Sequence, residues 1–197
     1  MLEVRLASAN EHKAEEFSEL FDSQIICVEK APKKIEVEED GETFYQNSLK
    51  KSESYYEKLK SPTVADDSGL LVEALPDDLG VKTARFGGEN LTDRARAELL
   101  LEKMVKVEQE KRKAYFVCVL CFYLSPGEVY FFEGRLKGKI SREYRDGAGF
   151  GYDPVFIPEK LPDKTLAEVP EWKKENSHRA QACKFAERFF RERVGQN

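Results

Sequence analysis

Histidine is nearly missing from this chain, with two in 197 residues. A histidine-rich metal site is therefore excluded, while a magnesium site built from carboxylate oxygens stays open. Cysteine is scarce as well: Cys27, Cys118, Cys121 and Cys183 are too few for a disulfide-stapled mini-protein. The Cys118-Val-Leu-Cys121 spacing looks like half a zinc site, but it lies in an apolar run, Tyr115 to Tyr123, that reads as a buried strand. Residues three apart on a strand face opposite ways, so both sulfurs read as ordinary core. No apolar run approaches the roughly 20 residues of a membrane helix. The start, Met1-Leu2-Glu3-Val4-Arg5, has neither the basic region nor the apolar core of a signal peptide. Positive charge has no surplus, because 32 Lys and Arg stand against 37 Asp and Glu, a net charge of −5. That balance argues against a nucleic-acid partner. The expectation is a soluble, cytoplasmic, globular protein with one domain over residues 1–197 and no membrane partner.

Alternating strands and helices fill the chain. Leu2 to Ala7 reads as a strand, followed by a helix from about Glu11 with Asn10 as its N-cap and Ala14, Phe17, Leu20 and Phe21 on one face. Ile25 to Val28 is a second strand. Thr43-Phe44-Tyr45-Gln46 has capping-box spacing and opens a helix to about Leu59. Thr63 to Ala65 is a strand that ends in Asp66-Asp67-Ser68-Gly69. Thr92 caps a helix that is expected to reach about Lys111, and Ala114 to Leu124 with Val129 to Leu136 form a hairpin. The last helix starts near Ser177, with Ala182, Phe185, Ala186 and Phe189 as its buried stripe. Parallel crossovers followed by a hairpin predict an α/β fold with a mixed sheet.

Chemistry concentrates in three turns. Ser8-Ala9-Asn10-Glu11-His12-Lys13 joins a strand to a helix, where free backbone N–H groups and the helix dipole favour an anion. It lacks the glycines and the Gly-Lys-Ser/Thr ending of a Walker loop. Asp66-Asp67-Ser68-Gly69 places carboxylates where Mg²⁺ is commonly held. Because neighbouring strand residues face opposite ways, one carboxylate is expected in the pocket and the other on a nearby cation. Gly149-Phe150-Gly151-Tyr152-Asp153-Pro154 offers rings that can stack on a planar base and a carboxylate that can accept from ring N–H groups. Near the end, Lys173, Lys174, His178 and Arg179 set positive charge at a helix start, against the dipole. A ligand, or failing that Glu168 or Glu175, is expected to compensate.

Together these segments resemble the inosine triphosphate pyrophosphatase family, the non-canonical purine nucleoside triphosphate pyrophosphatases. The resemblance runs in order through Ser8-Ala9-Asn10 with Lys13, residues 38–47, Ala65 to Leu70, Thr83-Ala84-Arg85-Phe86, Gly149 to Pro154 and Ser177-His178-Arg179. Ala9 stands where the family usually has Gly, and Leu79-Gly80 where it usually has Pro-Gly.

The resemblance implies Mg²⁺-dependent hydrolysis of ITP, dITP and XTP to the monophosphate and pyrophosphate, by a homodimer. It implies a long twisted mixed sheet flanked by helices, in two lobes with a central cleft. Carried over position by position, the metal carboxylates fall on Glu38 and Asp67, with Asp67 also the catalytic base. Phosphate contacts fall on Ser8, Ala9, Asn10, Glu11, His12, Lys13 and Lys173. Base contacts fall on Ser68, Phe150, Gly151, Tyr152, Asp153, His178 and Arg179. The competing readings are a pyrophosphatase for other modified nucleotides and a nucleotide sensor without catalysis.

Overall fold

Val4 and Leu6 are buried in strand β1 (Leu2–Leu6) while Glu3 is exposed, the period of two that a strand covered on one face requires. The computed structural model describes residues 1–8 and 11–194, without the side chains of Glu11, His12, Ala14, Glu15, Ser18 and Val194. β1 pairs in parallel with β2 (Ile26–Lys30), Leu2 opposite Ile26, and in parallel with β3 (Thr63–Val72), Leu6 opposite Val64. β4 (Lys113–Ser125) and β5 (Glu128–Ile140) are joined by Pro126-Gly127, where Gly127 takes φ +86°, a conformation glycine adopts without strain. β5 pairs antiparallel with β6 (Phe156–Pro158), and the six strands run in the order β2-β1-β3-β4-β5-β6. The sheet is therefore mixed, and helices flank it, as the sequence predicts.

The helices are α1 (Glu11–Leu20), α2 (Phe44–Leu59), α3 (Asp93–Lys103), α4 (Pro170–Asn176) and α5 (His178–Val194). The Thr43 capping box forms as expected: Thr43 Oγ1 accepts from Gln46 N at 3.1 Å, and Gln46 Oε1 accepts from Thr43 N at 3.2 Å. Thr92 caps α3 through Ala95 N at 3.2 Å. Two compact units divide the chain, residues 1–68, 118–134 and 178–197 in the first and 69–117 with 135–177 in the second. The core of the first unit gathers Val4, Leu6, Phe17, Ile26, Phe122 and Phe190, with a smaller cluster of Ala7, Ile35, Tyr55 and Ala65. The core of the second gathers Leu70, Leu100, Met104, Phe116, Tyr152 and Phe156. Cys118 and Cys121 are fully buried, and burial pushes both thiols up to about 12, so they are inert packing residues.

Several boundaries differ from the sequence reading. β3 does not stop at Ala65 but carries Asp66 to Gly69 inside the strand, because the side chains of both aspartates find partners there. α3 ends at Lys103 rather than near Lys111, because the backbone tightens into turns there, Val105 N on Glu102 O at 3.1 Å and Val107 N on Met104 O at 2.9 Å, which Arg112 braces. Its guanidinium, 1% exposed, donates to Met104 O (2.6 Å), Ile140 O (2.9 Å) and Ser141 O (2.6 Å). The Met104 carbonyl thus takes the Arg112 guanidinium beside its backbone donor, Val107 N at 2.9 Å, which fixes the chain just past the helix end. α4 was not foreseen; its start is marked by Pro170, whose fixed φ suits a first helical position. In α5, Phe185 and Phe189 are exposed at 44% and 37%, while Ala182, Cys183, Ala186 and Phe190 face the core. The buried stripe is thus rotated from the expected one. The Asn10 N-cap and the Ala14 side chain lie outside the described residues.

Replacing Arg112 by Leu keeps bulk but removes three hydrogen bonds, those to the carbonyls of Met104, Ile140 and Ser141. A loss of about 3 kcal/mol in unfolding free energy is expected, measured by urea denaturation. A loss below about 1 kcal/mol would show that the carbonyls find other donors.

Candidate active site

In the first unit, Asp66 and Asp67 sit side by side on β3 and meet different partners, as alternation along a strand requires. Asp66 is 2% exposed. Lys13 Nζ, from α1, donates to its Oδ1 at 3.0 Å, and Arg179 Nη2, from α5, donates to its Oδ2 at 2.9 Å. Burial alone would raise its pKa, but Lys13, Arg179 and Lys51 together hold the carboxyl far below the usual range. Asp66 is the aspartate that pairs with cations.

Arg179 is equally enclosed, at 2%. Its Nη1 donates to Glu16, and its Nη2 is also 3.3 Å from Ser68 Oγ. Two carboxylates, Asp66 and Glu16, thus compensate the Arg179 charge at the start of α5. Among the described residues, Arg179 Nε lacks a hydrogen-bond acceptor. His178, the first residue of α5, is 8% exposed.

Asp67 is the other kind of carboxylate. Asn47 Nδ2 donates to its Oδ2 at 3.0 Å, and Ser68 N donates to its Oδ1 at 3.1 Å. Lys51 Nζ lies 3.8 Å from Oδ1 and 2.8 Å from Glu39 Oε2. Burial dominates here: it raises the pKa of Asp67, Lys51 and Asn47 pull it down, Glu39 and Asp66 push it further up, and the net shift is upward. Lys51 is buried too, which by itself would lower its pKa, but Asp66, Asp67 and Glu39 outweigh that and keep it charged. A carboxylate that holds its proton more tightly than usual is a better base.

Lys51 also lines a cavity of about 410 Å³, together with Ser8, Lys13, Lys34, Glu36 and Glu39. Glu38, a predicted metal ligand, is exposed on the segment between β2 and α2. Ala9 and Asn10 lie outside the described residues, as do the side chains of Glu11 and His12.

The second unit holds the glycine-rich turn. Gly149 takes φ +103°, and a Cβ on it would stand 2.3 Å from Asp153 Oδ2, so only glycine lets the backbone close over that carboxylate. Phe150 N donates to the same Oδ2 at 3.0 Å, and Lys173 Nζ, from α4, donates to it at 2.6 Å. The Lys173 ammonium stands 4.5 Å from the centre of the Phe150 ring, a cation–π contact. Phe150 is 54% exposed, whereas Tyr152 is buried and donates its hydroxyl to Thr83 O at 2.9 Å. Of the two rings, Phe150 is the one presented to solvent. Gly151 N donates to Asp93 Oδ2 at 2.9 Å, and Arg96 holds the preceding long connection through the carbonyls of Phe86, Gly88 and Leu91. The structure places Lys173 with Asp153 and Phe150.

Sequence reasoning gives no role to Asn47, Lys51 or Glu16, and places Glu39 only in an acidic run, Glu36 to Glu42, that could lend the metal a carboxylate. Asn47, Ser48, Lys51, Ser52 and Tyr55 form the buried face of α2. They repeat at helical spacing, which is the available signal, but a polar stripe is invisible to a search for apolar periodicity.

The Asp66 pairs carry a pH signature. An unfolded aspartate has a pKa near about 3.9, and the folded one is far lower, so the unfolded chain takes up this proton first. The stabilisation is fully present above about pH 4 and is lost as pH falls towards the folded value. Asp66→Asn is expected to cost about 3 kcal/mol at pH 7, by leaving Arg179 and Lys13 with one partner fewer, and to flatten the fall in stability below about pH 4. Denaturant unfolding at pH 7 and at pH 3 measures both; an unchanged acid slope would remove Asp66 from this role.

A model of the Ham1 family matches residues 4–189. A dITP/XTP pyrophosphatase of Aquifex aeolicus is 40% identical over 191 residues, covering 93% of this chain and 94% of that protein. Among solved structures, a HAM1 protein from Coxiella burnetii superposes with a TM-score of 0.86 at 34% identity, covering 98% of this chain and 100% of that one. The Staphylococcus aureus Ham1 protein gives 0.85 at 36% identity, over 97% and 99% of the two chains. With sequence, length and fold all in agreement, this chain belongs to the Ham1 family.

Proposed function

We propose that this chain hydrolyses the non-canonical purine nucleoside triphosphates dITP, XTP and ITP to the monophosphate and pyrophosphate, with Mg²⁺ and as a cytoplasmic homodimer. The observation that carries the reading is Asp67: a nearly buried carboxylate with raised proton affinity, linked through Lys51 to a lysine-lined cavity. Relatives named dITP/XTP pyrophosphatase support the substrate class.

Among the described residues, no group of three or more His, Cys, Asp or Glu side chains converges on one point. Magnesium does not need such a cage, since it is commonly held by one or two carboxylates with waters and substrate phosphates. The oxygen donors Glu38 and Asp67 fit that requirement, and the bound ion would neutralise phosphate charge and acidify a water. The protein's own part is proton transfer and positioning. Asp67 accepts the proton of the water that attacks the α-phosphorus, the bond to the bridging oxygen breaks, and pyrophosphate leaves. Ser8 and Lys13 hold phosphate oxygens in the first unit. There His178 and the Arg179 Nε–H supply donors for the 6-oxo group of hypoxanthine or xanthine, with Ser68 beside them. Adenine would set its amino donor against those donors, a mismatch that leaves polar groups unpaired. In the second unit, Phe150 offers a stacking face, framed by Gly151 and Tyr152, while Asp153 accepts from N–H groups and Lys173 adds positive charge.

Pyrophosphate release from dITP, XTP, ITP, ATP, GTP and dUTP tests the reading, with the first three expected to lead. A lead for ATP or dUTP would mark a different nucleotide pyrophosphatase, and tight ITP binding without turnover a sensor. Asp67→Asn is expected to lose about a thousandfold in kcat while remaining folded; near-normal turnover would refute Asp67 as the base.

A further inference from the structure

We propose that Lys34 is a further substrate-binding residue, the cation that meets the polyphosphate chain as it departs from the α-phosphorus. The proposal rests on the pyrophosphatase reading above and extends it to a residue outside every motif of the sequence.

The charge pairing within the first-unit cavity singles Lys34 out. Three lysines line that space, Lys13, Lys34 and Lys51. Lys13 is engaged by Asp66 at 3.0 Å. Lys51 is engaged by Glu39 at 2.8 Å and faces Asp67 at 3.8 Å. Lys13 and Lys51 can offer a phosphate only the donors that these carboxylates leave over, because drawing either one off its carboxylate would leave a charge unpaired away from water. Among the described residues, Lys34 makes no hydrogen bond or ion pair, so its charge is uncommitted. A nucleoside triphosphate brings about four negative charges, and a cation free to turn towards them gains the contact without breaking an internal pair.

Lys34 is also held in place, although residues 33–42 form no regular element. Its neighbour Ile35 is 7% exposed and packs in the small cluster with Ala7, Tyr55 and Ala65. Ile35 N donates to Tyr55 Oη at 3.0 Å, a buried hydrogen bond. Tyr55 lies one helical turn after Lys51 on α2. The same helix face therefore fixes Lys51 next to Asp67 and pins the backbone that carries Lys34. If attack occurs beside Asp67, the remaining two phosphates extend into the rest of the cavity, where Lys34 stands.

The experiment compares Lys34→Ala, Lys34→Glu and Lys34→Arg with the unaltered chain, using dITP with Mg²⁺. Lys34→Ala is expected to raise KM about tenfold, Lys34→Glu to raise it further, and Lys34→Arg to restore most of the loss. Competitive inhibition by inorganic pyrophosphate should weaken by a similar factor in Lys34→Ala, while inhibition by dIMP, which has no polyphosphate, should not change. The side chain is exposed, so thermal unfolding should be the same in all four proteins. Unchanged KM and unchanged pyrophosphate inhibition in both Lys34→Ala and Lys34→Glu would overturn the proposal. Equal weakening towards dIMP would overturn it as well, by showing a general charge effect. Should the unaltered chain release pyrophosphate from no triphosphate, the pyrophosphatase reading fails. Calorimetric binding of inorganic tripolyphosphate to the unaltered chain and to Lys34→Ala then decides Lys34 on its own.

Discussion

Arg179 and Asp66, both at 2% exposure, form a buried ion pair on which the first unit's candidate chemistry depends. Burying two charges is expensive, and their attraction offsets that cost only when geometry is good and the remaining polar atoms are satisfied. Lys13 and Ser68 add contacts on one side and Glu16 on the other, while Arg179 Nε is left without an acceptor among the described residues. Residues from α1, β3 and α5 are thereby tied to one point. Asp66 is bound from Oδ1 and Oδ2 alike by cations, whereas its neighbour Asp67 is held by the neutral donors Asn47 Nδ2 and Ser68 N. One aspartate serves as ballast, and the adjacent one keeps its raised proton affinity for chemistry.

That difference between neighbours shows how environment assigns roles to identical side chains. Asp66 and Asp67 are both sheltered from water, and for both the largest single effect is burial. Two strong cations within hydrogen-bond reach overcome it for Asp66. For Asp67 the nearest cation is at 3.8 Å and is shared with Glu39, so burial wins. A difference of about 1 Å in ammonium distance, together with the sharing, separates a carboxylate with lowered proton affinity from one with raised proton affinity.

Much of the fold was legible because its signals are local. Alternation in Leu2–Leu6, the reciprocal Thr43 and Gln46 cap and the Pro126-Gly127 turn each follow from residues within one element. The misses came where a distant residue intervened. α3 ends in a turn, Val107 N on Met104 O, that Arg112 braces through the same carbonyl from eight residues on. Nothing near Asp66 says that the strand continues; Arg179, 113 residues away, makes it tolerable to leave a carboxylate there. Phe185 and Phe189 look like core by composition, yet small residues, Ala182 and Ala186, take the inner face with Cys183 and Phe190.

The candidate site divides along the same line. By itself, the sequence determined which chemical groups are present and in what order, since motif residues such as Asp67, Phe150-Gly151 and His178-Arg179 carry their meaning in type and spacing. It also determined that the two aspartates would part company, because strand geometry forces neighbouring side chains to opposite faces. Only the tertiary structure decided which aspartate is neutralised and which has its proton affinity raised. It alone placed Asn47 and Lys51 on a buried polar face of α2, set Lys173 against Asp153 and Phe150, and left Lys34 without a partner among the described residues. The reason is physical: proton affinity and ion pairing depend on burial and on distances of a few ångströms between residues far apart in the chain, and neither is written in any local stretch of sequence.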